Sequence, residues 1–503
     1  MGFPFRNLGD LIDRGADLAK PALIDLAGGA ARVVSYAELD ALSNAVARGL
    51  LRRGLKRGDR VGILAANSTE YLATLYGAER AGLVPVPVNW RFPAATVEYV
   101  LRDSGAAVVF CDAARLAAVP EGLPAIGFGS AEWQGFLDPG AFQAVVPAAA
   151  EPALFLYTSG STGRPKGVIL SHQSHLWVVE QRLKGPDISQ ERCLVAAPLY
   201  HMNGLALAQL ASAAHITVVL MPQFDARGYL HAIADHKVTW ITGVPPMMAM
   251  LLQHQDLVGS LDLSSVRHVR CGSAPVSPAL LAAIRRAFPN AGFVNGYGTT
   301  EAGPVVFGPH PEKIPTPPLS VGYAHPAVQL RLRAADGSLG SDGVLEQKCP
   351  GQMNGYWNRP DLKPPMTEDG FYITGDVFHR DENGFHFVVG RVDDMFICGG
   401  ENIFPSEVEK VLDIHPGVEQ SAVVPVPDDI KGTKPVAFVV KRAGAEVDEA
   451  TLKAHALAKA PAYMHPRRVW FLEALPLAGT NKVDKNALVA WAKERSAAEP
   501  SGE

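Results

Sequence analysis

The feature that most constrains the fold is a long alternation of β-rich and helical segments. Runs such as RVGIL and AAVVF have the composition of short buried strands, and the segments between them carry the apolar spacing of helices. The alternation covers residues 60–111 and resumes over residues 193–288. A strand, a helix and a second strand form the crossover unit of a parallel sheet. We therefore predict an α/β fold with parallel sheets over most of the N-terminal part.

The pattern of predicted secondary structure changes twice further along the chain. From about Val321 to Val389, short strands alternate with Gly and Asp turns, which predicts an antiparallel β subdomain. After GRVDD the chain shows an amphipathic helix, strands and a further helix, and about 110 residues of this kind can form a small α+β domain. We place a domain boundary at Arg391 to Asp393.

Composition narrows the class of function. The 503 residues carry a net charge of -5, with 48% hydrophobic and 19% charged residues, so there is no basic footprint for nucleic acid. Five scattered cysteines without a C-x-x-C pair indicate reduced, structural thiols. The N-terminus lacks the apolar core of a secretion signal, and polar residues interrupt the most apolar stretch, Cys193 to Met221. We expect a cytoplasmic protein with no membrane span.

Residues 157–167, YTSGSTGRPKG, combine glycines, hydroxyl groups and a lysine. Small residues let backbone N–H groups approach a phosphate, while Ser, Thr and Lys donate to its oxygens. The stretch is not a Walker A loop, because Lys166 lies between Pro165 and Gly167. A phosphate-holding loop and a solvated turn between two strands both remain open for this stretch by itself.

Three further stretches follow in order along the chain. They are VNGYGTTEAGPV from Val294, YITGD ending at Asp376 with GRVDD from Gly390, and AGTNKVDK around Lys482. In this order and approximate spacing, the four stretches resemble the adenylate-forming superfamily of acyl-CoA synthetases, aryl-CoA ligases, luciferases and stand-alone adenylation domains. The resemblance covers almost the whole chain. It implies an AMP-binding N-terminal domain over residues 1–391, a hinge at residues 392–393 and a small mobile C-terminal domain over residues 394–503.

The resemblance also implies a nucleotide site. Tyr297 would stack on adenine, Thr300 would bond the α-phosphate, and Glu301 would hold Mg²⁺, which prefers oxygen ligands. Asp376 and Arg391 would contact the ribose, since a carboxylate can accept from both hydroxyls of a diol. Without a nucleotide, Tyr297 could be a core aromatic and Asp376 with Arg391 an ordinary ion pair. The other implied cofactor-binding residues are Thr158, Ser159, Gly160, Ser161, Thr162, Gly163, Lys166, Gly272, Ser273, Ala274, Pro275, Asn295, Gly296, Gly298 and Thr299.

Lys482 is implied to be the catalytic lysine that bridges the substrate carboxylate and the α-phosphate. An ammonium group placed there stabilises charge that develops in the transition state. Lys485 is the alternative in the same segment. The resemblance further implies that the small domain swings about Asp393, so that a thiol reaches the carbonyl past Gly399 and Gly400. Glycines permit such close backbone approach, although the same pair also suits a hairpin turn.

A few positions indicate which class of carboxylic acid the protein would accept as a substrate. His201, in PLYHMNG, matches a place beside the acyl carboxylate in relatives, and Met202, Met247, Met248 and the turn at residues 272–274 are candidates for the pocket wall. Amino-acid-activating members of the resembled family carry an aspartate near the PLYH stretch, and none lies between Cys193 and Phe224, which disfavours amino acids. Malonate-type members carry a basic residue on the helix after GVP, whereas PPMMAMLL has none to pair with a second carboxylate. We therefore expect an apolar monocarboxylic acid, either aromatic or of medium chain length.

The predicted activity is that of an acid:CoA ligase that uses ATP, Mg²⁺ and coenzyme A and releases AMP and pyrophosphate. The expected partner is a small carboxylic acid, and the expected assembly is a monomer or a homodimer. One alternative keeps the adenylate but passes the acyl group to a carrier protein or to oxygen. Another is a catalytically inactive sensor, which is disfavoured because Lys482, Glu301 and Asp376 are all present.

Overall fold

The computed structural model describes residues 3–158, 164–428, 431–479 and 481–498. A seven-stranded sheet carries much of the N-terminal part, and neighbouring strands pair in parallel except at one edge. From edge to edge its strands are β13 (Gly292–Gly296), β12 (His268–Gly272), β11 (Trp240–Gly243), β9 (Arg192–Val195), β10 (Thr217–Leu220), β1 (Pro21–Asp25) and the antiparallel β2 (Arg32–Ser35). The interior strands β11, β9, β10 and β1 are mostly buried, as expected of parallel strands covered by helices, whereas the edge strands β13 and β2 are largely accessible.

A second, four-stranded sheet is parallel throughout. Its strands, in order, are β4 (Val84–Pro87), β3 (Arg60–Leu64), β5 (Ala106–Cys111) and β6 (Ala125–Gly127). An antiparallel hairpin follows, made of β7 (Pro152–Thr158) and β8 (Lys166–Ser171). The alternation in the sequence therefore predicted the parallel sheets correctly.

Helices cover the faces of these sheets and begin where the sequence places capping residues. The side chains of Ser35, Ser68, Asp225 and Ser277 each accept a hydrogen bond from a backbone N–H of the first turn. The helices are α1 (Tyr36–Arg52), α2 (Thr69–Arg80), α3 (Ala94–Asp103), α4 (Ala131–Phe136), α5 (His172–Leu183), α6 (Met202–Ala213), α7 (Ala226–His236), α8 (Pro245–Gln253), α9 (Gln255–Ser260) and α10 (Pro278–Ala287), with a 3₁₀ helix at Ala113–Ala118.

The predicted β subdomain is a seven-stranded antiparallel sheet. Its strands, in order, are β14 (Phe307–Gly308), β15 (Gly322–Ala324), β20 (Phe385–Arg391), β19 (Tyr372–Arg380), β18 (Asp342–Lys348), β16 (Gln329–Arg333) and β17 (Leu339–Gly340). The register of β19 and β20 sets Asp376 opposite Arg391. Two residues from separate sequence motifs are thus brought side by side by strand pairing.

The C-terminal part has its own sheet and core. After a 3₁₀ turn at Val392–Asp394, the order is β22 (Glu401–Ile403), β21 (Phe396–Cys398), β24 (Gly432–Lys441) and β23 (Val418–Asp428), with β25 (Val469–Leu472) parallel to β24. Helices α11 (Pro405–Asp413), α12 (Glu449–Lys459) and α13 (Lys485–Ala498) and a 3₁₀ turn at Ala462–Met464 complete it. Buried Leu412, Val439 and Leu452 belong to a core cluster of this part, as expected of an α+β domain.

Two expectations from composition can be compared with the fold. All five cysteines are buried free thiols. Across the described ranges, none of the helices combines the length and the apolar character needed to cross a bilayer.

Candidate active site

A cavity of about 160 Å³ lies at the carboxyl ends of the parallel strands. Its wall takes residues that directly follow β9, β11, β12 and β13, together with the turn that carries Lys482. Loops at this end of a parallel sheet are where ligands bind in α/β proteins. Nine residues predicted from separate stretches of sequence line this cavity: His201, Gly272, Ser273, Gly296, Tyr297, Gly298, Thr299, Thr300 and Lys482.

Small residues are required where β12 and β13 end. A Cβ atom placed on Gly272 would lie 1.9 Å from the backbone oxygen of Gly296, so no side chain fits there. Ser273 follows in the left-handed region with a φ of 64°, an uncommon conformation for a residue other than glycine. The close approach of these two strand ends leaves backbone, rather than side chains, facing a flat ligand.

Tyr297 and Asp376 form one hydrogen-bonded unit beside the cavity. The Tyr297 hydroxyl donates to Asp376 Oδ2 over 2.6 Å, and Arg391 Nε lies 3.7 Å from Asp376 Oδ1. Burial raises the pKa of Asp376, and the positive charge of Arg391 opposes that rise. The ring of Tyr297 packs edge to face on Phe378, with 5.0 Å between ring centroids. The unit is a rigid hydrogen-bonding wall for a polar ligand.

Lys166 and Glu301 are joined through a residue that the sequence motifs did not indicate, Tyr356. Lys166 Nζ donates to the Tyr356 hydroxyl over 2.8 Å, and that hydroxyl donates to Glu301 Oε1 over 3.3 Å. Lys166 Nζ also lies 3.5 Å from Glu301 Oε1 and 4.2 Å from the centre of the Tyr356 ring. Burial, followed by the Glu301 charge, raises the pKa of Tyr356, so the phenol stays protonated. One cation and one carboxylate are therefore held in fixed positions.

Lys482 reaches the cavity from the C-terminal part. Its turn is fastened to the N-terminal part by Tyr200, whose hydroxyl donates to Gly479 O over 3.3 Å, and by Arg91, whose Nη1 donates to Asn481 Oδ1 over 2.8 Å. Asn481 adopts a φ of 59°, which turns the chain sharply before Lys482. Burial lowers the pKa of Lys482, as does the charge of Arg391, while Asp376 raises it. The lysine is therefore poorly hydrated and positioned by contacts across the two parts.

His201 borders the same region. It precedes α6 at the N-cap position, and its Nε2 atom is buried without a hydrogen-bond partner among the described residues. Burial, followed by the charges of Lys482 and Arg91, lowers the pKa of His201 to about 3. The imidazole is thus neutral at physiological pH and presents an unsatisfied polar atom.

The cavity wall also contains a pair of arginines that was not predicted. Arg182 comes from the end of α5 and Arg270 from β12, and both line the cavity beside Met202, Met247 and Leu207. Burial lowers the pKa of Arg182 to about 9, with a further contribution from the charge of Arg270. Burial also lowers the pKa of Arg270. The predicted apolar wall is therefore correct for Met202 and Met247 but incomplete.

Other predicted residues lie outside the cavity wall. Ala274, Pro275 and Met248 do not line it, and Asn295 donates instead to Leu319 O over 2.8 Å. Gly399 and Gly400, with φ values of 61° and 90°, form the turn between β21 and β22. The remaining positions are Asp393, in the 3₁₀ turn after β20, Thr158, which pairs with Lys166 across the hairpin, and Ser159 to Gly163, which lie outside the described residues.

Lys485, the alternative catalytic lysine, is directed elsewhere. Its Nζ lies 2.9 Å from Asp394 Oδ2, in an ion pair between α13 and the 3₁₀ turn after β20. The same contact places α13 against the segment that links the two parts. This position gives Lys485 a structural partner and leaves Lys482 as the lysine in the cavity.

The sequence reasoning missed Tyr356, Arg182 and Arg270. For Arg270 a signal existed, since a basic residue inside the apolar strand VRHVRC is unusual for a buried strand. Arg182 ends an amphipathic helix, where arginine is common, so no local pattern distinguishes it. Tyr356 lies in a loop between strands, and only the folded chain shows its two partners.

Comparison with protein families gives two matches along the chain. Residues 15–357 match the family described as AMP-binding enzyme, and residues 407–482 match the AMP-binding enzyme C-terminal domain. The cavity takes its wall from the first segment and receives Lys482 at the end of the second.

Individual relatives match over nearly the full length. A feruloyl-CoA synthase from an Amycolatopsis species is 36% identical over 497 residues, covering 95% of this chain and 98% of the relative. A fatty acid–[acyl-carrier-protein] ligase, ScoC, from Streptomyces coeruleorubidus is 33% identical, covering 91% of each chain. Among solved structures, ATP-bound MatB from Rhodopseudomonas palustris superposes with a TM-score of 0.87 at 30% identity, covering 97% of this chain and 99% of that one.

Proposed function

The chain belongs to the AMP-binding enzyme family, and from this premise we propose that it is an AMP-forming carboxylic acid:CoA ligase. The observation that carries the proposal is the meeting of Lys482 with Thr300 and Tyr297 in one cavity, although they come from separate parts of the chain. A desolvated ammonium beside a nucleotide-shaped site is what acid activation by ATP requires.

In the first step, a carboxylate oxygen attacks the α-phosphorus of ATP, and the bond to the bridging oxygen of pyrophosphate breaks. The products are an acyl-adenylate and pyrophosphate. Lys482 would contact both the attacking carboxylate and the α-phosphate, where negative charge accumulates. Phosphoryl transfer depends mainly on such positioning and charge neutralisation. The contacts of Arg91 and Tyr200 with the lysine turn fix this geometry without touching the substrate.

The nucleotide would be held by the paired residues beside the cavity. Asp376 retains an oxygen for a ribose hydroxyl while it accepts from Tyr297, and Arg391 is close enough to share the ribose. Lys166 would neutralise the departing phosphates together with the loop at residues 159–163. These are proposals for the roles of individual residues, supported by their spacing and by the ATP-bound relative.

Mg²⁺ fits the donor set at Glu301. Among the described residues no cluster of three or more His, Cys, Asp and Glu side chains converges, so a cation here would combine one carboxylate with phosphate and water oxygens. Mg²⁺ is commonly bound in that way in ATP-dependent enzymes, where it neutralises phosphate charge. Glu301 would exchange its contacts with Lys166 and Tyr356 for the cation.

In the second step, the thiol of coenzyme A attacks the acyl carbonyl, AMP leaves as the phosphate ester, and the thiol proton is released. Lys482 and the thiol cannot occupy the same face of the carbonyl at once. We propose that the C-terminal part rotates about Asp393, so that the turn at Gly399 and Gly400 replaces the lysine turn. Glycine at both positions leaves room for the pantetheine arm. Domain movements of this kind also protect labile intermediates from water.

A carrier protein is the second candidate for the acceptor of the acyl group. ScoC, which is named as a ligase for an acyl carrier protein, is nearly as similar as the feruloyl-CoA synthase. The adenylation cavity serves both acceptors equally well. We propose free CoA because the more similar of these two relatives is named for it. Comparing turnover with and without CoA identifies the acceptor.

The acid has an apolar body in this proposal. Met202, Met247 and Leu207 provide an adaptable wall, since methionine conforms to varied shapes. The same wall also contains two guanidinium groups, those of Arg182 and Arg270, which a purely apolar monocarboxylic acid would leave without a partner. The proposal extends to a cytoplasmic enzyme for small carboxylic acids that acts as a monomer or a homodimer.

The test measures pyrophosphate release with ATP and Mg²⁺ across aromatic and aliphatic acids, with and without CoA. Thioester formation is followed in parallel by mass spectrometry. We expect turnover that depends on CoA and a product heavier than CoA by the acyl group. Pyrophosphate release that CoA leaves unchanged, and that a phosphopantetheinylated carrier protein accelerates, would transfer the proposal to the second acceptor.

A further inference from the structure

Arg182 and Arg270 are two positive side chains in one cavity wall with no negative partner. No hydrogen bond or ion pair reaches either guanidinium from the part of the chain that the structure describes, and the charge that acts on Arg182 is that of Arg270. Nearly every other arginine in the interior is paired; Arg80, for example, lies 2.8 Å from Asp40. The pair is therefore an exception within its own fold.

Keeping two like charges together is costly. Burial removes both groups from water and lowers the pKa of each, and the charge of Arg270 adds to the effect on Arg182, whose pKa falls to about 9. Unpaired charges in partly buried sites are retained when a ligand completes them. The Arg270 side chain also has a fixed place, because its Nε lies 2.8 Å from where a Cβ of Gly296 would be. A glycine at 296 thus makes room for the guanidinium.

The arginines and Lys482 line the same cavity. The charges that affect Lys482 are those of Arg391 and Asp376, whereas the charge that affects Arg182 is that of Arg270. Met247 and Trp240 line the cavity as well and offer apolar surface. A ligand that fills the cavity would therefore meet the lysine, the two guanidinium groups and apolar side chains.

We propose that Arg182 and Arg270 bind a second carboxylate, so that the substrate is a dicarboxylic acid with a short apolar body. The inference rests on the proposed ligase activity and specifies its substrate class. Guanidinium groups favour carboxylates because two N–H donors match two oxygens. One carboxylate would be adenylated beside Lys482, and the other would stay unreacted at the arginines. The absence of a base in α8 does not oppose this, because the bases come from α5 and β12.

The experiment compares each dicarboxylic acid with its own monomethyl ester, which keeps the body and removes the second charge. Linear dicarboxylates of increasing length and the benzene dicarboxylates are the probes. We expect kcat/KM for the best diacid to exceed that of its ester by about 100-fold, since hydrogen bonds to charged groups are strong. Arg182→Met and Arg270→Met should each reduce that ratio by about 10-fold or more, while Arg270→Lys should restore part of it.

The matched control is Arg285→Met, because Arg285 is an exposed arginine of α10 that lies outside the cavity. It should leave the ratio unchanged. Since unpaired like charges destabilise the empty protein, Arg182→Met should also raise the midpoint of thermal unfolding without ligand. A variant that failed to fold would lower it, so this measurement separates misfolding from loss of recognition.

The outcomes separate this inference from the ligase proposal. Efficient turnover of esters and monocarboxylic acids, with diacids ignored, would overturn the inference and leave the ligase activity intact. The inference would also be overturned if Arg182→Met and Arg270→Met raised KM for ATP equally with every acid. The arginines would then bind phosphate. If no acid turns over, diacid-induced thermal stabilisation of the wild type but not of the double variant would support the arginine site alone; its absence would contradict the site as well.

Discussion

The two sides of the cavity differ in how their charges are satisfied. On the nucleotide side, Asp376 accepts from Tyr297 and lies near Arg391, and Lys166 lies beside Glu301. On the acyl side, Arg182 and Arg270 have only each other, within the described residues. The paired side can be rigid before any ligand arrives, whereas the unpaired side is completed by one. If the proposed roles hold, the nucleotide meets a preorganised surface and the acid meets charges that it must itself complete.

The largest expected effect is at Lys482, which lines the cavity together with residues of both sides. We expect Lys482→Ala to lower kcat of adenylation by about 100- to 1000-fold, because a donor aimed at developing charge contributes about 2.7–4 kcal/mol. The readout is pyrophosphate release at saturating acid and ATP. Thioester formation from a supplied acyl-adenylate should change far less, because the lysine acts only in the first step. The exposed Lys493→Ala is the control; a loss below about 10-fold in the lysine 482 variant would contradict its assigned role.

The nucleotide side is tested separately at Asp376. Its replacement by alanine removes the acceptor of Tyr297 and the partner of Arg391, so we expect KM for ATP to rise by about 10- to 100-fold. Discrimination between a diacid and its ester should not change, because that depends on the acyl side. Steady-state kinetics with ATP as the varied substrate measure the effect, and Asp256→Ala on the surface serves as the control. A change in acid preference without a change for ATP would show that the two sides are not independent.

Tyr356 allows the nucleotide side of the cavity to be tested at a single hydroxyl group. The variant Tyr356→Phe keeps the ring over Lys166 but removes the hydroxyl that links it to Glu301. We expect kcat to fall by about 5-fold, as a buried hydrogen bond is worth about 1 kcal/mol, with Lys166 and Glu301 left in less fixed positions. The Mg²⁺ concentration for half-maximal rate should rise as well. Unchanged rates at every Mg²⁺ concentration would reduce Tyr356 to a packing role.

The smallest effect concerns protons taken up on unfolding. The pKa of His201 is lowered to about 3 in the fold from an ordinary value of 6.5. Between these values the unfolded chain binds the proton and the folded chain does not, so this contribution to stability is present above pH 6.5 and is lost as the pH falls toward 3. The slope from one such group is about 1.4 kcal/mol per pH unit at most.

Replacement of His201 by Gln should therefore flatten the fall in stability between pH 6.5 and 4 in chemical unfolding curves. His231→Gln, at an exposed position of α7, is the matched control. An identical pH slope in the wild type and the His201 variant would show that this imidazole is accessible to protons in the folded state.

Much of the fold and of the nucleotide side followed from local sequence. The strand-helix alternation predicted the parallel sheets because burial of a two-sided sheet demands apolar runs, and the motif residues around Tyr297 and Lys482 were placed in one cavity as expected. In the sequence, only the family resemblance connects Asp376 with Arg391. In the fold, the register of the β-sheet sets them opposite each other. The arginines of the acyl side could not be predicted from the sequence, because they come from α5 and β12 and only the fold places them in one wall.

The sequence by itself determined which residues can do chemistry: a glycine-rich loop, a tyrosine, an acidic pair and a lysine in a fixed order. Tertiary structure decided which charges meet and which remain unpaired. Arg182 and Arg270 are separated by 88 positions in the numbering, and only the folded chain places both in one cavity wall, where the charge of one acts on the other. Electrostatic energy depends on distance through space and on access to water, and neither quantity is set by position along the chain.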